Sequence, residues 1–189
     1  YIYNKGESQT YTLPFIDEAS VENSITCLAV CLTLGLAAKR IDEGMANLEP
    51  VAMRLEVKQG QHGCTLINDS YNSDINSLDI ALDFISRRPD HKGRRRTLIL
   101  SDIPQSGLAK EQLYREVSDL CVKRGVEKFI GVGKDLMSEA ASIQVAEKYF
   151  FADTASFIKS DTFRTRRDEV ILIKGARAFG FDNISELLE

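Results

Sequence analysis

The run of residues 68–72 reads Asn-Asp-Ser-Tyr-Asn and directly follows two apolar side chains. Its carboxylate, hydroxyl, phenol and two amides can hydrogen-bond the hydroxyls and the base edge of a sugar or nucleotide. Arg54, a little upstream, adds a cation that suits phosphate or ribose oxygens. The same run also fits a polar loop with an Asx turn, and side-chain chemistry alone favours that loop.

Two β-prone segments would position these side chains. Residues 54–57 and 64–67 are separated by a stretch that contains Gln-Gly-Gln-His-Gly at 59–63, and short strands joined by a few residues with glycine are typical of a hairpin. The polar run begins where the second strand ends. Because ligands bind at the carboxyl ends of strands in an α/β sheet, we predict a binding edge at residues 68–72.

Two other predicted strand ends carry charged side chains. Asp102 follows a strand at 97–100, on the same edge as Asp69, although an Asp-initiated turn explains it equally well. Lys174 and Arg177 lie on either side of Gly-Ala after the last strand. Two cations beside a glycine suit the recognition of a carboxylate, and surface ion pairs are the alternative.

Residues 131–135 read Gly-Val-Gly-Lys-Asp and come nearest to a phosphate-binding loop. Lys128 stands where a P-loop has its first glycine, and Asp135 stands where it has Ser or Thr for magnesium. We interpret the run as a tight turn between a strand and a helix. The chain is therefore not expected to hold the phosphates of ATP by itself.

Strands and helices alternate after the hairpin. Further strands are predicted at 97–100, 126–132, 146–151 and 169–174, and helices at 77–86, 110–124, 134–142, 154–160 and from about 183. Short joints marked by glycine favour an α/β fold, a Rossmann-like and mostly parallel sheet flanked by helices, from about residue 51 to the end. The basic run 91–96 and the charged stretch 161–167 are predicted to be solvated loops.

The first fifty residues have a different pattern. Short strands are predicted at 1–3 and 8–13, a helix at 21–38 with Ser20 as its N-cap, and a second helix at 41–48. This region offers few apolar side chains for a core, so we expect it to be marginal alone. The chain begins at Tyr1 without a methionine, inside a predicted strand, which favours a fragment.

Composition argues against several classes of protein. The 189 residues are 43% hydrophobic and 28% charged, with a net charge of −4, which is typical of a soluble protein without a nucleic-acid partner. Four cysteines without a CxxC pair, and two distant histidines, indicate reduced thiols in the cytoplasm and no metal site. The most apolar stretch, 27–38, is shorter than the roughly 20 residues that span a bilayer, so no membrane partner is expected.

The motifs at 54–56 and 69–72 resemble those that open the C-terminal domain of the Mur ligases. Arg-Leu-Glu is followed by Asp-Ser-Tyr-Asn, and this second motif is similar to that of the branch that adds D-Ala-D-Ala. In that branch the motif continues as Ala-Asn-Pro, where this chain has Ser73, Asp74 and Ile75. Losing the proline removes a fixed φ and leaves a backbone N–H to satisfy.

Two further segments carry the resemblance. Residues 22–29 are similar to the family's His-Asn-x-x-Asn-Ala-Leu-Ala, with Asn23 at the first asparagine, Glu22 in place of the histidine and Thr26 in place of the second asparagine. Without the resemblance, Asn23 is simply a polar residue of a first helical turn. Residues 173–177 resemble the family's Val-Lys-Gly-Ser-Arg, and Asp102 matches an aspartate in a family loop more weakly.

The resemblance implies a domain organisation and an activity. Residues 1–50 would be the C-terminal tail of the central ATPase domain, a remnant preceding a C-terminal domain at 51–189. The implied activity is ATP-dependent amide formation in peptidoglycan precursor synthesis, which adds D-Ala-D-Ala to a UDP-N-acetylmuramoyl-tripeptide through an acyl phosphate. ATP and Mg²⁺ are the implied cofactors, bound mainly by an upstream part of the ligase chain that carries the P-loop.

The resemblance also implies roles for single residues. Asn23 would lie beside the adenine, Asp69 would accept from the ribose hydroxyls, and Arg54 would contact ribose or phosphate. Tyr71 and Asn72 would shape the nucleotide edge. The candidates for the amino substrate are Asp102, Lys174 and Arg177. This segment is expected to hold no catalytic residue and no metal ligand, and to be inactive alone. The alternatives are another Mur or folylpolyglutamate-type ligase, or a non-catalytic nucleotide-binding module.

Overall fold

The fold was obtained as a computed structural model, which describes residues 2–4, 7–15, 18–49, 54–88 and 93–189. The chain divides into two units, Tyr1–Val51 and Ala52–Glu189. In the described residues of the first unit there are two antiparallel strands, β1 (Ile2–Asn4) and β2 (Glu7–Gln9), and two helices, α1 (Glu18–Thr33) and α2 (Ala38–Ala46).

The core of the first unit is small. Leu28 of α1 packs with Ile41 and Met45 of α2, and these three are its buried apolar residues in the described part of the unit. α1 already begins at Glu18, so Ser20 lies inside the helix and the prediction that it is the N-cap was wrong. The helix also ends earlier than predicted, because Gly35 follows it with a positive φ of 74°.

The second unit is built on a six-stranded sheet in the order β3-β4-β8-β5-β6-β7. Its strands are β3 (Glu56–Gln59), β4 (Thr65–Asp69), β5 (Arg95–Ser101), β6 (Lys128–Val132), β7 (Glu147–Phe151) and β8 (Glu169–Lys174). β3 and β4 form the predicted antiparallel hairpin, and every other neighbouring pair is parallel. The mostly parallel α/β sheet predicted from the sequence is confirmed.

Helices cover both faces of this sheet. They are α3 (Ile75–Arg87), α4 (Lys110–Lys123), α5 (Lys134–Ser138), α6 (Thr154–Lys159), α7 (Asp161–Arg164) and α8 (Asp182–Leu188). Successive side chains of β8 alternate between the faces, with Leu172 packing in the cluster that contains α3 and α4. Ile171 packs in the cluster that contains α6 and α8. Burial on both faces explains why the central strands are continuous apolar runs.

Two charged segments differ from the solvated loops predicted for them. Residues 161–167 contain α7, and Arg166 is only 4% exposed because aromatic side chains pack against its guanidinium. In the basic run, residues 91 and 92 lie outside the described part of the chain. Arg94 donates to Thr65 Oγ1 at 2.9 Å and to the Glu169 carbonyl at 3.0 Å, and β5 begins at the next residue. Arg94 therefore joins β4 to β8.

Candidate functional site

Asp69 and Lys174 end two neighbouring parallel strands and face each other in register. Lys174 Nζ lies 2.8 Å from Asp69 Oδ2, with side-chain exposures of 2% for the lysine and 13% for the aspartate. The same ammonium donates to the backbone carbonyl of Asn72 at 2.7 Å. Lys174 therefore joins the carboxyl ends of β4 and β8 and holds the start of the next loop.

The loop after β4 is fixed by hydrogen bonds among its own polar side chains. Ser70 Oγ donates to Asn68 Oδ1 at 2.6 Å, and both residues are buried. Asp74 caps α3, since its Oδ1 accepts from the backbone N–H of Ser77 at 2.9 Å. Some of the polar side chains after β4 therefore fix the loop itself, as the alternative of a polar loop with an Asx turn predicts.

The departure from the family motif at residues 73–75 is compatible with this cap. Asp and Asn are equally good N-cap residues, so Asp74 can do what an asparagine would do at that position. Ile75 is the first helical residue of α3, where proline is favoured but where its missing N–H has no helical partner in any case. Replacing that proline by Ile75 leaves the turn into α3 intact.

Burial opposes the charge on Asp74 and would raise its pKa. The hydrogen bonds from the backbone and hydroxyl of Ser77 outweigh that effect, and the positive charge of Lys174 acts in the same direction. The pKa of Asp74 is therefore lowered from its ordinary value. The cap stays ionised at neutral pH, beside the Asp69–Lys174 pair.

Arg54 and Tyr71 form an exposed pair on the outer side of this loop. The Arg54 Cζ atom lies 4.7 Å from the centre of the Tyr71 ring, in cation–π geometry. Tyr71 is 42% exposed, and Asn72 is exposed beside it. A ring, a guanidinium and an amide are thus open to solvent together, next to the buried ion pair. Such a surface can stack against a base and pair with an anion.

Asp102 follows β5 and caps a helix of this chain. Its Oδ1 accepts from the backbone N–H of Leu136 at 2.8 Å, and its Oδ2 accepts from that of Asp135 at 3.1 Å. A Cβ atom on Gly133 would lie 2.2 Å from the Asp102 Cγ, so the close approach requires glycine. The glycine pattern at 131–135 is the predicted tight turn between β6 and α5. A contact between Asp102 and substrate stays a prediction.

Arg177 lies in a short 3₁₀ turn after β8 and is exposed. Its guanidinium makes no hydrogen bond or ion pair with any residue that the structure describes. The turn itself is anchored, because the backbone N–H of Ala176 donates to Ser101 Oγ at 2.9 Å. Ser101 was not predicted as a site residue, and only its position at a strand end could have indicated it.

The second unit thus brings together Arg54, Tyr71, Asn72, Asp69 and Lys174. Asp102 and Arg177 follow the carboxyl ends of two adjacent strands of the same sheet, β5 and β8. Asn23 lies on α1 of the first unit, where it is exposed.

Metal and membrane features were searched over the described ranges. There, no group of three or more His, Cys, Asp or Glu residues could hold a metal ion. No helix in those ranges combines the length and apolar character needed to cross a membrane.

The family model for the Mur ligase glutamate ligase domain matches residues 53–177, about two thirds of the chain. The protein therefore belongs to the Mur ligase family.

Within that family, the chain is 25% identical to the UDP-N-acetylmuramoyl-tripeptide–D-alanyl-D-alanine ligase of Escherichia coli (strain K12), over 94% of this chain and 38% of that protein. The fold matches MurF from Acinetobacter baumannii with a TM-score of 0.77 and 21% identity, over 94% of this chain and 39% of that one. It also matches MurF from Thermotoga maritima in complex with ADP, with a TM-score of 0.70 and 19% identity, over 92% and 38% of the two chains. The chain spans about two fifths of the length of the curated relatives it matches.

Proposed function

We propose that this chain is the C-terminal part of an ATP-dependent ligase that adds D-Ala-D-Ala to a UDP-N-acetylmuramoyl-tripeptide in the cytoplasm. Residues 1–50 would be the tail of the central ATPase domain, and residues 51–189 the C-terminal domain. The observation that carries the proposal is the Asp69–Lys174 pair, which holds the family's Asp-Ser-Tyr-Asn motif at the ligand-binding edge of the sheet.

The proposed reaction has two steps. ATP transfers its γ-phosphoryl group to the carboxylate of the UDP-linked peptide and leaves as ADP, and the amine of D-Ala-D-Ala then attacks the acyl phosphate, forming the amide and releasing phosphate and a proton. Mg²⁺, held with the nucleotide by the upstream part of the ligase, would neutralise charge on the transferring phosphoryl group. The upstream part of the ligase holds these phosphates, and this portion orients nucleotide and amine. Positioning of this kind lowers the entropic cost of bringing the reactants together.

The exposed side chains of the edge fit the nucleotide. The Tyr71 ring with Arg54 offers a face for stacking and a cation for phosphate or ribose, and Asn72 adds an amide. Asp69 Oδ1 has no hydrogen-bond partner among the described residues, so it can accept from a ribose hydroxyl while Oδ2 stays with Lys174. Asn23 is the proposed contact to the adenine.

Lys174, at the end of β8, and Arg177, in the turn after it, have different roles in this proposal. Lys174 is a positioning residue, because its buried ammonium is bonded to Asp69 and to the Asn72 carbonyl. Arg177 is the exposed cation that binds the carboxylate of the amino substrate. Asp102 would act at that edge through the start of α5, which it caps.

The test is an assay of phosphate release from ATP by the protein expressed from the complete native gene. With UDP-N-acetylmuramoyl-tripeptide present, release should require D-Ala-D-Ala. Release that requires D-glutamate and UDP-N-acetylmuramoyl-alanine, or folate and glutamate, would instead support the alternative ligases. Release with none of these pairs would support a non-catalytic module.

Two further observations test the upstream phosphate-binding loop and the role of Asp69 separately. A glycine-rich Gly-Lys-Thr or Gly-Lys-Ser loop encoded upstream of Tyr1 is expected. In the complete enzyme, Asp69→Ala should raise the KM for ATP, and an unchanged KM would remove Asp69 from the nucleotide site.

A further inference from the structure

Arg166 lies between α7 and β8, at the amino ends of the strands and therefore at the edge of the sheet opposite to Asp69. It is 4% exposed. Its Nε, Nη1 and Nη2 atoms are buried and have no hydrogen-bond partner in the described part of the chain. A guanidinium has five N–H donors, so a whole set of buried donors is left unsatisfied.

Two aromatic rings pack against this guanidinium. The Arg166 Cζ atom lies 4.7 Å from the centre of the Phe163 ring and 5.1 Å from that of Phe157. Burial lowers the pKa of Arg166 to about 10, although the negative charge of Glu169 acts to raise it. The group is therefore cationic at neutral pH. A buried charge without a hydrogen-bonded partner is costly, so the site is incomplete as it stands.

The nearby carboxylates are already shared by other cations. Glu147 pairs with Arg95, and its second oxygen lies 3.5 Å from Lys128 Nζ. Glu169 Oε1 lies 4.0 Å from both Arg95 Nη1 and Lys128 Nζ. Glu147 and Glu169 thus serve Arg95 and Lys128, and no carboxylate of the described residues lies within ion-pair distance of Arg166.

A cavity of about 270 Å³ opens beside Arg166. Its polar lining includes Arg166, Arg164 and His62, and its apolar lining includes Leu66, Ile171 and Leu188. A space whose lining includes both cationic or basic groups and aliphatic side chains suits a ligand with one anionic end and an apolar body.

We propose that this cavity binds a small organic carboxylate. The guanidinium nitrogens of Arg166 have no surface open to the cavity, so the Arg166 side chain turns towards the bound ligand and the two carboxylate oxygens then accept its N–H bonds. The apolar lining favours an organic carboxylate over inorganic phosphate, which has no apolar body. The apolar part of the ligand packs against Leu66, Ile171 and Leu188. The site lies at the amino ends of β4 and β8, away from the proposed nucleotide edge, and does not depend on the function proposed for that edge.

The test uses 4-methylpentanoate as the probe and follows thermal unfolding of the full 189-residue chain. Because a ligand that binds the folded state raises its stability, the midpoint temperature should rise and saturate at millimolar probe. The neutral isostere 4-methylpentanamide should leave the midpoint unchanged, and so should inorganic phosphate. An equal rise with the amide or with phosphate would overturn the proposal, as would no rise with 4-methylpentanoate.

Variants assign the effect to one side chain. Arg166→Met removes the charge but keeps a long apolar chain, and the probe should then bind about tenfold more weakly or worse. Arg167→Met is the matched control, because Arg167 is the exposed neighbour and should keep the full response. Retention of the response in Arg166→Met, or its loss in Arg167→Met, would contradict the proposal.

Leu187→Trp provides a second route if Arg166→Met does not fold. Leu187 lines the cavity and is 50% exposed, so a larger side chain can fill the cavity from the surface without changing the core. Calorimetric titration of this variant should show several-fold weaker binding of 4-methylpentanoate. Unchanged affinity would place the probe elsewhere and overturn the proposal.

Discussion

The Lys174 ammonium is bonded to the Asp69 carboxylate across the ends of two parallel strands, 2.8 Å apart and almost out of contact with water. The aspartate opens the family motif, and the lysine belongs to the other segment that resembles the family. Their pairing means that the two segments form one structural unit. Each of the two side chains holds the other in position, in addition to any contact that it makes with a ligand.

This pairing predicts an asymmetric effect on stability. Asp69→Ala leaves a buried ammonium with only a backbone carbonyl, so the free energy of unfolding should fall by about 3–5 kcal/mol. Lys174→Met should cost less, because the remaining Asp69 carboxylate is partly exposed to water. Urea unfolding measures the loss of free energy of unfolding in each of the two variants. A loss in Asp69→Ala no larger than that in Lys174→Met would contradict this reading of the pair.

Tyr71 is expected to matter for nucleotide binding and little for folding. Stacking of an aromatic ring on a base is worth about 1–3 kcal/mol, so Tyr71→Ala in the complete enzyme should raise the KM for ATP about tenfold. The matched control is Tyr149→Ala, because Tyr149 is 39% exposed but lies on β7, at the far edge of the sheet. Equal effects of the two substitutions on KM would exclude Tyr71 from the nucleotide site.

Asp74 should stabilise the fold in a pH-dependent way. Loss of an N-cap costs about 1 kcal/mol, which is the expected deficit of Asp74→Ala at pH 7. Because folding lowers the pKa of Asp74 below its ordinary 3.8, the stabilising contribution of its charge is present above that value. It is lost as the pH falls through the lower pKa of the folded state.

The measurement for this cap is urea unfolding of Asp74→Ala and the unmodified chain between pH 7 and pH 3. The difference in free energy of unfolding between the two proteins should become smaller as the pH falls towards 3. Asp119→Ala is the control, since Asp119 is exposed on α4 and its removal should change the free energy of unfolding little. If the difference in free energy of unfolding between Asp74→Ala and the unmodified chain widened on acidification, the predicted direction of the pH dependence would be wrong.

The four cysteines should separate into two reactivity classes. Burial raises the pKa of Cys121 to about 12, so almost none of it is thiolate at pH 8, and Cys64 is 2% exposed. Cys27 is exposed. A disulfide reagent should therefore modify Cys27 rapidly in the folded chain, and Cys64 and Cys121 only after denaturation. Cys31 is partly exposed and belongs to the accessible class with Cys27, so Cys27→Ser combined with Cys31→Ser should remove the fast phase. Survival of the fast phase in this double variant would mean that a buried thiol is accessible.

Features that depend on the local pattern of residues were predicted well from the sequence. Apolar runs of the right length located β5 and β8, and glycine between two β-prone segments located the β3–β4 hairpin. The polar cluster after Ile67 was placed at the carboxyl edge of the sheet for the same reason. Periodicity and turn chemistry are local properties, so they can be read without knowing which strands are neighbours.

Contacts between distant segments could not be read in this way. Lys174 meets Asp69 because β8 inserts beside β4, and no local signal states the order of strands. Asp102 caps α5 only because β5 and β6 are adjacent. Arg166 stands in a run rich in charge, which is typical of solvated loops, and nothing in that run indicates that the Phe157 ring of α6 packs against its guanidinium.

The position of β8 has a consequence for how the second unit is made. The last strand in the chain lies between β4 and β5, which appear much earlier during synthesis. Until Glu169–Lys174 leaves the ribosome, the hairpin and the remaining three strands can form only two partial sheets, each with an open, apolar edge. The nascent second unit thus passes through a stage that is prone to aggregate and that ends only when β8 is inserted between β4 and β5.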